Sequence, residues 1–137
     1  MTERSFVDTN ILVYTDDQQD GVKRERALQL LEQLRLNSHG VVSTQVLQEY
    51  FVAATRKLSV EAGIARRKVE LFSRMDVVQI TPDDILHAID IHRLNSLSFW
   101  DALIVHAARS AGCSVLYSED MSNGAVIAGV RVLNPFA

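Results

Sequence analysis

Short apolar runs alternate with longer amphipathic segments along the chain, and no other feature of the sequence limits its fold as strongly. Five short runs are predicted as strands, at residues 5–8, 40–43, 76–80, 114–117 and, more weakly, 130–133. Five longer segments have apolar residues three or four positions apart, as in amphipathic helices, at residues 22–37, 44–57, 59–74, 82–94 and 98–112. This alternation is typical of parallel sheets, so we predict an α/β fold, a three-layer α/β/α sandwich with a central, mostly parallel sheet.

Residues with known capping preferences support the predicted helix boundaries. Ser59 and Ser98 are expected to be N-caps, and Thr81 followed by Pro82 is a favourable helix start. Gly112 is expected to end the last helix.

The length and composition fit one soluble domain. The chain has 137 residues, 47% hydrophobic and 23% charged, which favours a single globular domain over residues 1–137. No apolar run approaches the roughly 18 residues of a membrane span, and the N-terminus lacks the apolar core of a secretion signal. We therefore expect a cytoplasmic protein with no membrane partner. The single cysteine, Cys113, excludes an internal disulfide and fits a reducing compartment.

Four acidic residues follow the predicted strands or lie in the helices after them. Asp8 ends the first strand, and Asp120 follows the fourth strand by three residues. Glu49 lies on the helix after the second strand, and Asp101 lies in the first turn of the helix that Ser98 begins. The loops at the carboxyl ends of parallel strands form the ligand crevice of such sheets. The four carboxylates would therefore converge if strands one and four are neighbours.

A cluster of four carboxylates needs a compensating positive charge. Two of them about 4 Å apart repel by about 4 kcal/mol at an effective dielectric constant near 20, and a marginally stable domain could not carry several such pairs. A divalent cation removes the repulsion, and oxygen-only ligands favour Mg²⁺ or Mn²⁺. Cations held in this way activate water and stabilise the leaving oxygen in phosphodiester cleavage. The acids therefore predict a metal-dependent hydrolase.

Each acid also has a purely structural interpretation. Asp101 with Ser98 resembles a capping box, and acidic residues are common in the first turn of a helix. Glu49 alone would be a solvated helix residue, and Asp120 could begin a turn in its loop. The set of four, rather than any one residue, supports the prediction.

The net charge of −3 at first argues against a nucleic-acid partner. That argument weakens if the acids are concentrated at one metal site, because the rest of the chain is then slightly basic. Arg56 and Lys57, about two turns after Glu49, are the basic residues best placed for nucleic-acid phosphates. The group around Lys23 is interpreted as a solvated helix face.

Four segments resemble the motifs of the PIN-domain nucleases. They are residues 6–12 (FVDTNIL), 43–49 (STQVLQE), 99–104 (FWDALI) and 116–120 (LYSED), which stand in the family's order. The resemblance implies four catalytic, metal-binding acids around one or two Mg²⁺ or Mn²⁺ ions: Asp8, Glu49, Asp101 and Asp120. Asn10 would hold Asp8 in place by a hydrogen bond, with Ser118 as a polar neighbour. Glu119 is ambiguous, since it could be an additional ligand.

Among PIN-domain proteins, short chains of this kind are similar to the VapC-type toxins of toxin–antitoxin pairs. The resemblance implies an endoribonuclease that cuts structured or loop RNA, forms a homodimer and is inhibited by a small protein antitoxin. The apolar residues of 28–36 and 50–58 are expected in the core, with a dimer or antitoxin groove as the alternative.

Other functions stay open at this stage. A PIN-like module that binds RNA or a partner without cleavage would keep the fold, although the intact set of acids argues against it. A metal-dependent phosphatase of the haloacid dehalogenase type also has an acid after its first strand, but it needs a second acid where this chain has Asn10. A receiver domain would need paired acids at the first strand and a lysine after the last, and neither is evident.

The remaining polar and aromatic candidates are assigned to the fold rather than to the site. Phe99 and Trp100 are expected to pack into the core, with stacking on a nucleobase as the alternative. Cys113 is expected to pack where the last helix meets the fourth strand. The histidines lack zinc-binding spacing and are interpreted as surface or core residues: His39, His87, His92 and His106.

Overall fold

The structure is a computed structural model and describes residues 3–137. Its strands are β1 (Ser5–Val7), β2 (Gly40–Ser43), β3 (Asp76–Val78), β4 (Val115–Tyr117), β5 (Val126–Ile127) and β6 (Val130–Leu133). Its helices are α1 (Thr9–Tyr14), α2 (Gly21–Asn37), α3 (Thr44–Lys57), α4 (Ala62–Phe72), α5 (Pro82–Leu94) and α6 (Phe99–Ser110).

One sheet contains all six of these strands, in the order β3-β2-β1-β4-β6-β5. Every neighbouring pair is parallel except β5 and β6. Crossovers between parallel strands are right-handed, so α1–α4 cover one face of the sheet, and α5 and α6 cover the other. The helix contacts agree, since α1 packs on α2 and α3, α3 packs on α4, and α5 packs on α6. The predicted three-layer fold with a mostly parallel sheet is confirmed.

The central strands are buried on both faces, which explains why they are continuous apolar runs in the sequence. Phe6, Val41 and Leu116, from three neighbouring strands, are fully buried. Helix α6 is the most deeply buried helix, and all its residues from 102 to 108 are buried. Cys113 packs between α6 and β4 as predicted, with 5% of its surface exposed.

The sequence pattern does not predict α1 or β5. Helix α1 has six residues, too few for an apolar periodicity, and it forms because Asp8 caps it and Ile11 and Leu12 are buried. Strand β5 has two residues and pairs with β6 through a tight turn. Ala128 and Gly129 in that turn have φ angles of 50° and 83°, as hairpin turns with a left-handed backbone require.

Helix α4 begins later than predicted, so Ser59 is not its N-cap. Ser59 has a φ angle of 55°, in the left-handed region, and Glu61 caps the helix instead. The Glu61 carboxylate accepts hydrogen bonds from the backbone N–H groups of Gly63 (2.9 Å) and Ile64 (3.1 Å). The predicted caps Thr81 and Ser98 are confirmed.

Among residues 3–137, no helix is long and apolar enough to cross a membrane.

Candidate active site

Asp8 lies between the carboxyl ends of two neighbouring strands. It follows β1, caps α1 and is only 4% exposed. Its Oδ1 accepts a hydrogen bond from the backbone N–H of Thr9, and its Oδ2 accepts one from the Ser118 hydroxyl, both at 2.7 Å. Ser118 follows β4, which pairs with β1 in parallel. Strands one and four are therefore neighbours, as convergence of the acids requires.

Asn10 connects Asp8 with the loop that follows β4. Its Nδ2 donates to Oδ2 of Asp120 (3.1 Å) and lies 3.4 Å from Oδ2 of Asp8. Its Oδ1 accepts a hydrogen bond from the backbone N–H of Glu119 (3.2 Å). One amide side chain thus bridges two acids that follow different strands.

Glu49 reaches the same place from α3. Its Oε1 accepts a hydrogen bond from the Thr9 hydroxyl (2.7 Å), and its Oε2 accepts one from the side-chain amide of Gln45 (3.1 Å). Gln45 also donates to the backbone carbonyl of Trp100 (3.2 Å), which links α3 with the start of α6. Sequence reasoning missed both Thr9 and Gln45 as residues that hold an acid. For Gln45 the usable signal is its position one helical turn before Glu49, on the same face of α3.

Asp101 lies in the first turn of α6, and its backbone N–H donates to the hydroxyl of the N-cap Ser98 (3.1 Å). Its backbone therefore contributes to capping, and its carboxylate also interacts with the Ser98 side chain. Asp120 is exposed on the loop after β4, and the Asn10 amide holds it toward Asp8.

The four carboxylates form one electrostatic cluster. Burial raises the pKa of Asp8 from 3.8 to about 6, hydrogen bonds from Ser118 and Thr9 oppose this change, and the charges of Asp120 and Asp101 add to it. Burial also raises the pKa of Asp101, the charge of Asp120 adds to this increase, the hydrogen bond with Ser98 opposes it, and the charge of Glu49 adds a smaller increase. Each acid therefore interacts with at least one other, although the four come from four parts of the chain.

The donor set suits a hard divalent cation. All the side-chain donors of the cluster are oxygens, the ligands that Mg²⁺ and Mn²⁺ favour. The part of the pKa increase of Asp8 and Asp101 that comes from neighbouring carboxylates reflects repulsion that a cation would relieve. Within residues 3–137, no three His, Cys, Asp or Glu side chains lie close enough together to hold one ion as they stand. The type and charge of these ligands therefore fit a divalent cation. The structure provides the ligand atoms, but they are not arranged around one point as a complete coordination shell.

Glu119 bonds away from this cluster. Its carboxylate accepts hydrogen bonds from Nζ of Lys23 (2.5 Å) and from the Tyr14 hydroxyl (2.6 Å). Burial raises the pKa of Glu119, but the hydrogen bonds from Lys23 and Tyr14 outweigh burial, and the net pKa is lowered. The interpretation of Lys23 as a solvated residue is therefore wrong, because its ammonium group is bound to Glu119 and Tyr14.

Trp100 is also placed differently from the prediction. It is 61% exposed, so the expectation that it packs into the core is wrong. Its ring meets the half-buried Phe99 ring edge to face, with centroids 5.1 Å apart. The position directly before Asp101 leaves a large, exposed aromatic ring next to a member of the acid cluster.

The basic residues and histidines singled out in the sequence do not join the cluster. Arg56 and Lys57 are exposed in the last turn of α3, about 10 Å along the helix axis from Glu49. His106 is mostly buried and bonds to Asp84 (2.8 Å). The interpretation of the histidines as surface or core residues agrees with these positions.

Comparison with known proteins shows which family the chain belongs to. The family model described as "PIN domain" matches residues 5–122. The chain belongs to the PIN-domain family. The match includes all four acids and the residues that orient them.

Solved structures of a toxin and of toxin–antitoxin complexes contain chains that share the fold over nearly the whole chain. VapC20 of Mycobacterium tuberculosis, described as a toxin that cleaves the sarcin–ricin loop, is 23% identical with a TM-score of 0.68, and the match covers 93% of this chain and 98% of that one. The toxin–antitoxin complex from Klebsiella pneumoniae contains a chain 22% identical, with a TM-score of 0.71 and coverage of 96% and 97%. DNA-bound VapBC from Salmonella typhimurium contains a chain 22% identical, with a TM-score of 0.68 and the same coverage. Among curated protein sequences, no significant match is found.

Proposed function

We propose that this PIN-domain chain is a metal-dependent endoribonuclease that hydrolyses RNA phosphodiester bonds at the cluster of Asp8, Glu49, Asp101 and Asp120. The observation that carries the proposal is the convergence of these four carboxylates, whose charges add to the increase that burial causes in the pKa of Asp8 and of Asp101. An uncompensated cluster of this kind destabilises a protein, so its presence is best explained by a ligand that it binds.

The four acids would hold one or two Mg²⁺ or Mn²⁺ ions. When bound, such an ion supplies charge that activates water and stabilises the leaving oxygen of a phosphodiester. The chain's own residues keep the donors in place: Ser118 and the Thr9 N–H fix Asp8, and the Thr9 hydroxyl and Gln45 fix Glu49. Asn10 holds Asp120 to the same site.

The exposed ring of Trp100 favours a nucleic-acid substrate over a small phosphate ester. In proteins that bind single-stranded nucleic acids, exposed aromatic side chains stack on the bases, and each stacked base contributes about 1–3 kcal/mol. A small aliphatic phosphate ester has no group that would use this ring.

A protein antitoxin is the partner that the structural similarities support. Two of the similar solved structures are VapBC complexes and another is described as a toxin–antitoxin complex. This chain also has an open apolar groove of about 700 Å³ between α3 and α4, lined by Leu47, Phe51, Val52 and Val69. We therefore propose that the chain is the toxin of a type II pair and that it acts in the cytoplasm as a homodimer, with residues 1–137 as its one domain.

A cleavage assay with matched substrates tests the proposed activity. Purified protein should cut a structured RNA with unpaired loops in the presence of Mn²⁺ or Mg²⁺, and should leave p-nitrophenyl phosphate intact. Asp101→Asn should lose the activity, whereas Asp90→Asn, which changes an exposed acid of α5, should keep it.

Each alternative function gives a different result in this assay. RNA binding without cleavage by any of the proteins would indicate a non-catalytic module. Hydrolysis of the small ester would indicate a phosphatase. Equal RNA cleavage by the wild type and Asp101→Asn would contradict the proposed site.

The proposed partner is tested with the small reading frame adjacent to the gene. Its product should co-purify with the wild-type chain and inhibit cleavage, and Phe51→Asp in the groove should weaken the complex without abolishing cleavage by the free chain. A neighbouring product that neither binds nor inhibits the chain would contradict the assignment as a toxin.

A further inference from the structure

Lys23 and Glu119 form an ion pair outside the acid cluster, although Glu119 directly precedes Asp120 in the sequence. Lys23 comes from α2 and Glu119 from the loop after β4, and the two residues are 96 positions apart in the sequence. The Tyr14 hydroxyl donates to the other carboxylate oxygen of Glu119 and lies 3.3 Å from Nζ of Lys23. Both oxygens of Glu119 are therefore occupied by partners outside the cluster.

The C-terminal segment completes this group of residues. Nζ of Lys23 lies 5.0 Å from the ring centroid of Tyr14 and 5.5 Å from that of Phe136, within the range of cation–π attraction. The rings of Tyr14 and Phe136 meet edge to face at 5.0 Å. Lys23 is thus held by two rings, a hydroxyl and a carboxylate. We call this group of four residues (Tyr14, Lys23, Glu119 and Phe136) the Lys23 brace.

The brace connects the two segments that supply Asp8, Asn10 and Asp120. Tyr14 ends α1, the helix that Asp8 caps and that contains Asn10, and Glu119 precedes Asp120. The backbone N–H of Glu119 donates to Oδ1 of Asn10 (3.2 Å), and Nδ2 of the same Asn10 donates to Asp120. A displacement of Glu119 would therefore move Asp120 and also remove a bond that orients Asn10.

From this geometry we propose that Lys23 is a positioning residue, which holds the Asp120 loop against α1 through Glu119 and so sets the metal affinity of the acid cluster. The proposal rests on the proposed function for its metal. It assigns Glu119 to the orientation of a ligand rather than to ligation. Outer residues that orient metal ligands commonly change metal affinity by about 10- to 100-fold when they are replaced.

The test compares Lys23→Met with a matched ion-pair variant, Arg4→Met. Arg4 bonds to Asp76 at 2.8 Å and joins two parts of the sheet at the amino ends of the strands, away from the acids. Mn²⁺ affinity should fall about 10- to 100-fold in Lys23→Met and stay unchanged in Arg4→Met. Glu119→Gln should weaken Mn²⁺ binding in the same direction as Lys23→Met.

The charge exchange Lys23→Glu with Glu119→Lys should restore much of the affinity that either change alone removes, since the pair can form with its polarity reversed. If Glu119 were itself a metal ligand, Lys23→Met would release it and leave the affinity unchanged or higher, and the charge exchange would not restore binding. Either result would overturn the proposal.

Amide hydrogen exchange separates this proposal from the proposed function. In the metal-free protein, the Glu119 amide should exchange faster in Lys23→Met than in the wild type, because its bond to Asn10 is loosened, and should be unaffected in Arg4→Met. A wild type that binds no Mn²⁺ would count against the proposed function, and the exchange rates would still test the brace. Unchanged exchange at Glu119 in Lys23→Met would overturn the brace even in a protein that binds Mn²⁺.

Discussion

Asp8 combines deep burial with two fixed hydrogen bonds, so its surroundings define its charge state more sharply than those of the other acids. Burial moves its pKa from 3.8 to about 6, so between these pH values the carboxyl is protonated in the folded, metal-free protein and ionised in the unfolded chain. The folded state then binds more protons than the unfolded state between these two pH values. The contribution of Asp8 to stability is therefore greatest below about pH 4 and is lost as the pH rises through about 6.

Replacement of Asp8 by Asn should stabilise the metal-free protein at neutral pH. The variant keeps the shape and a capping oxygen but removes the buried charge, so we expect a gain of about 2–3 kcal/mol in the free energy of unfolding at pH 7 and little change at pH 4. Urea denaturation of both proteins at the two pH values measures this difference. A variant less stable than the wild type at pH 7 would show that the buried charge is already compensated.

Trp100 is the chain's single tryptophan, so its role can be measured directly. Trp100→Ala should raise KM for RNA by at least about fivefold, as the loss of one stacked base predicts, with kcat much less affected, and Trp100→Phe should retain most of the affinity. RNA should also quench the tryptophan fluorescence of the inactive Asp101→Asn variant. An unchanged KM together with unquenched fluorescence would exclude stacking on this ring.

The individual elements differ in how well the sequence predicts them. The strands β1, β2, β4 and β6 and helices α3 and α5 were predictable, because central parallel strands are uniformly apolar and because Thr81 with Pro82 marks a helix start. Helix α1 and strand β5 were not, because six and two residues are too few for a periodic pattern. The start of α4 was missed because Ser59 is a frequent capping type, while the side chain that actually caps is Glu61.

The cap of α4 gives a prediction at the scale of the element. Glu61→Ala should reduce the free energy of unfolding by about 1 kcal/mol, as is typical when an N-cap side chain is lost. Ser59→Gly should cause no loss, because glycine tolerates the left-handed backbone at that position better than serine. Chemical denaturation of the two variants beside the wild type measures both effects, and a larger loss from Ser59→Gly than from Glu61→Ala would reverse the assignment of the cap.

For the whole molecule, sequence reasoning could place the four acids along the chain but could not establish that they meet. Their convergence depends on the pairing of β1 with β4, which joins segments about 110 positions apart. The contacts that orient the acids were harder still to predict. Thr9 with Glu49 and Lys23 with Glu119 are pairs of ordinary polar residues far apart in the sequence, and only the folded sheet brings them together.

The fold also explains why one edge of the molecule carries the proposed chemistry. The chain leaves β1 toward β2 on one face and returns to β4 from the other face, so a crevice opens between the ends of β1 and β4. Asp8, Ser118 and Asp120 border that crevice.

Calorimetric titration of the metal-free protein with Mn²⁺ tests the central claim, that the four carboxylates form a binding site for a divalent cation. The wild type should show saturable binding at one or two sites, and the bound ion should raise stability by about 2.7 kcal/mol at a concentration one hundred times Kd. Asp101→Asn should bind far more weakly, and Asp90→Asn should bind as the wild type does. No saturable binding by the wild type, or equal affinity in the wild type and Asp101→Asn, would contradict the account.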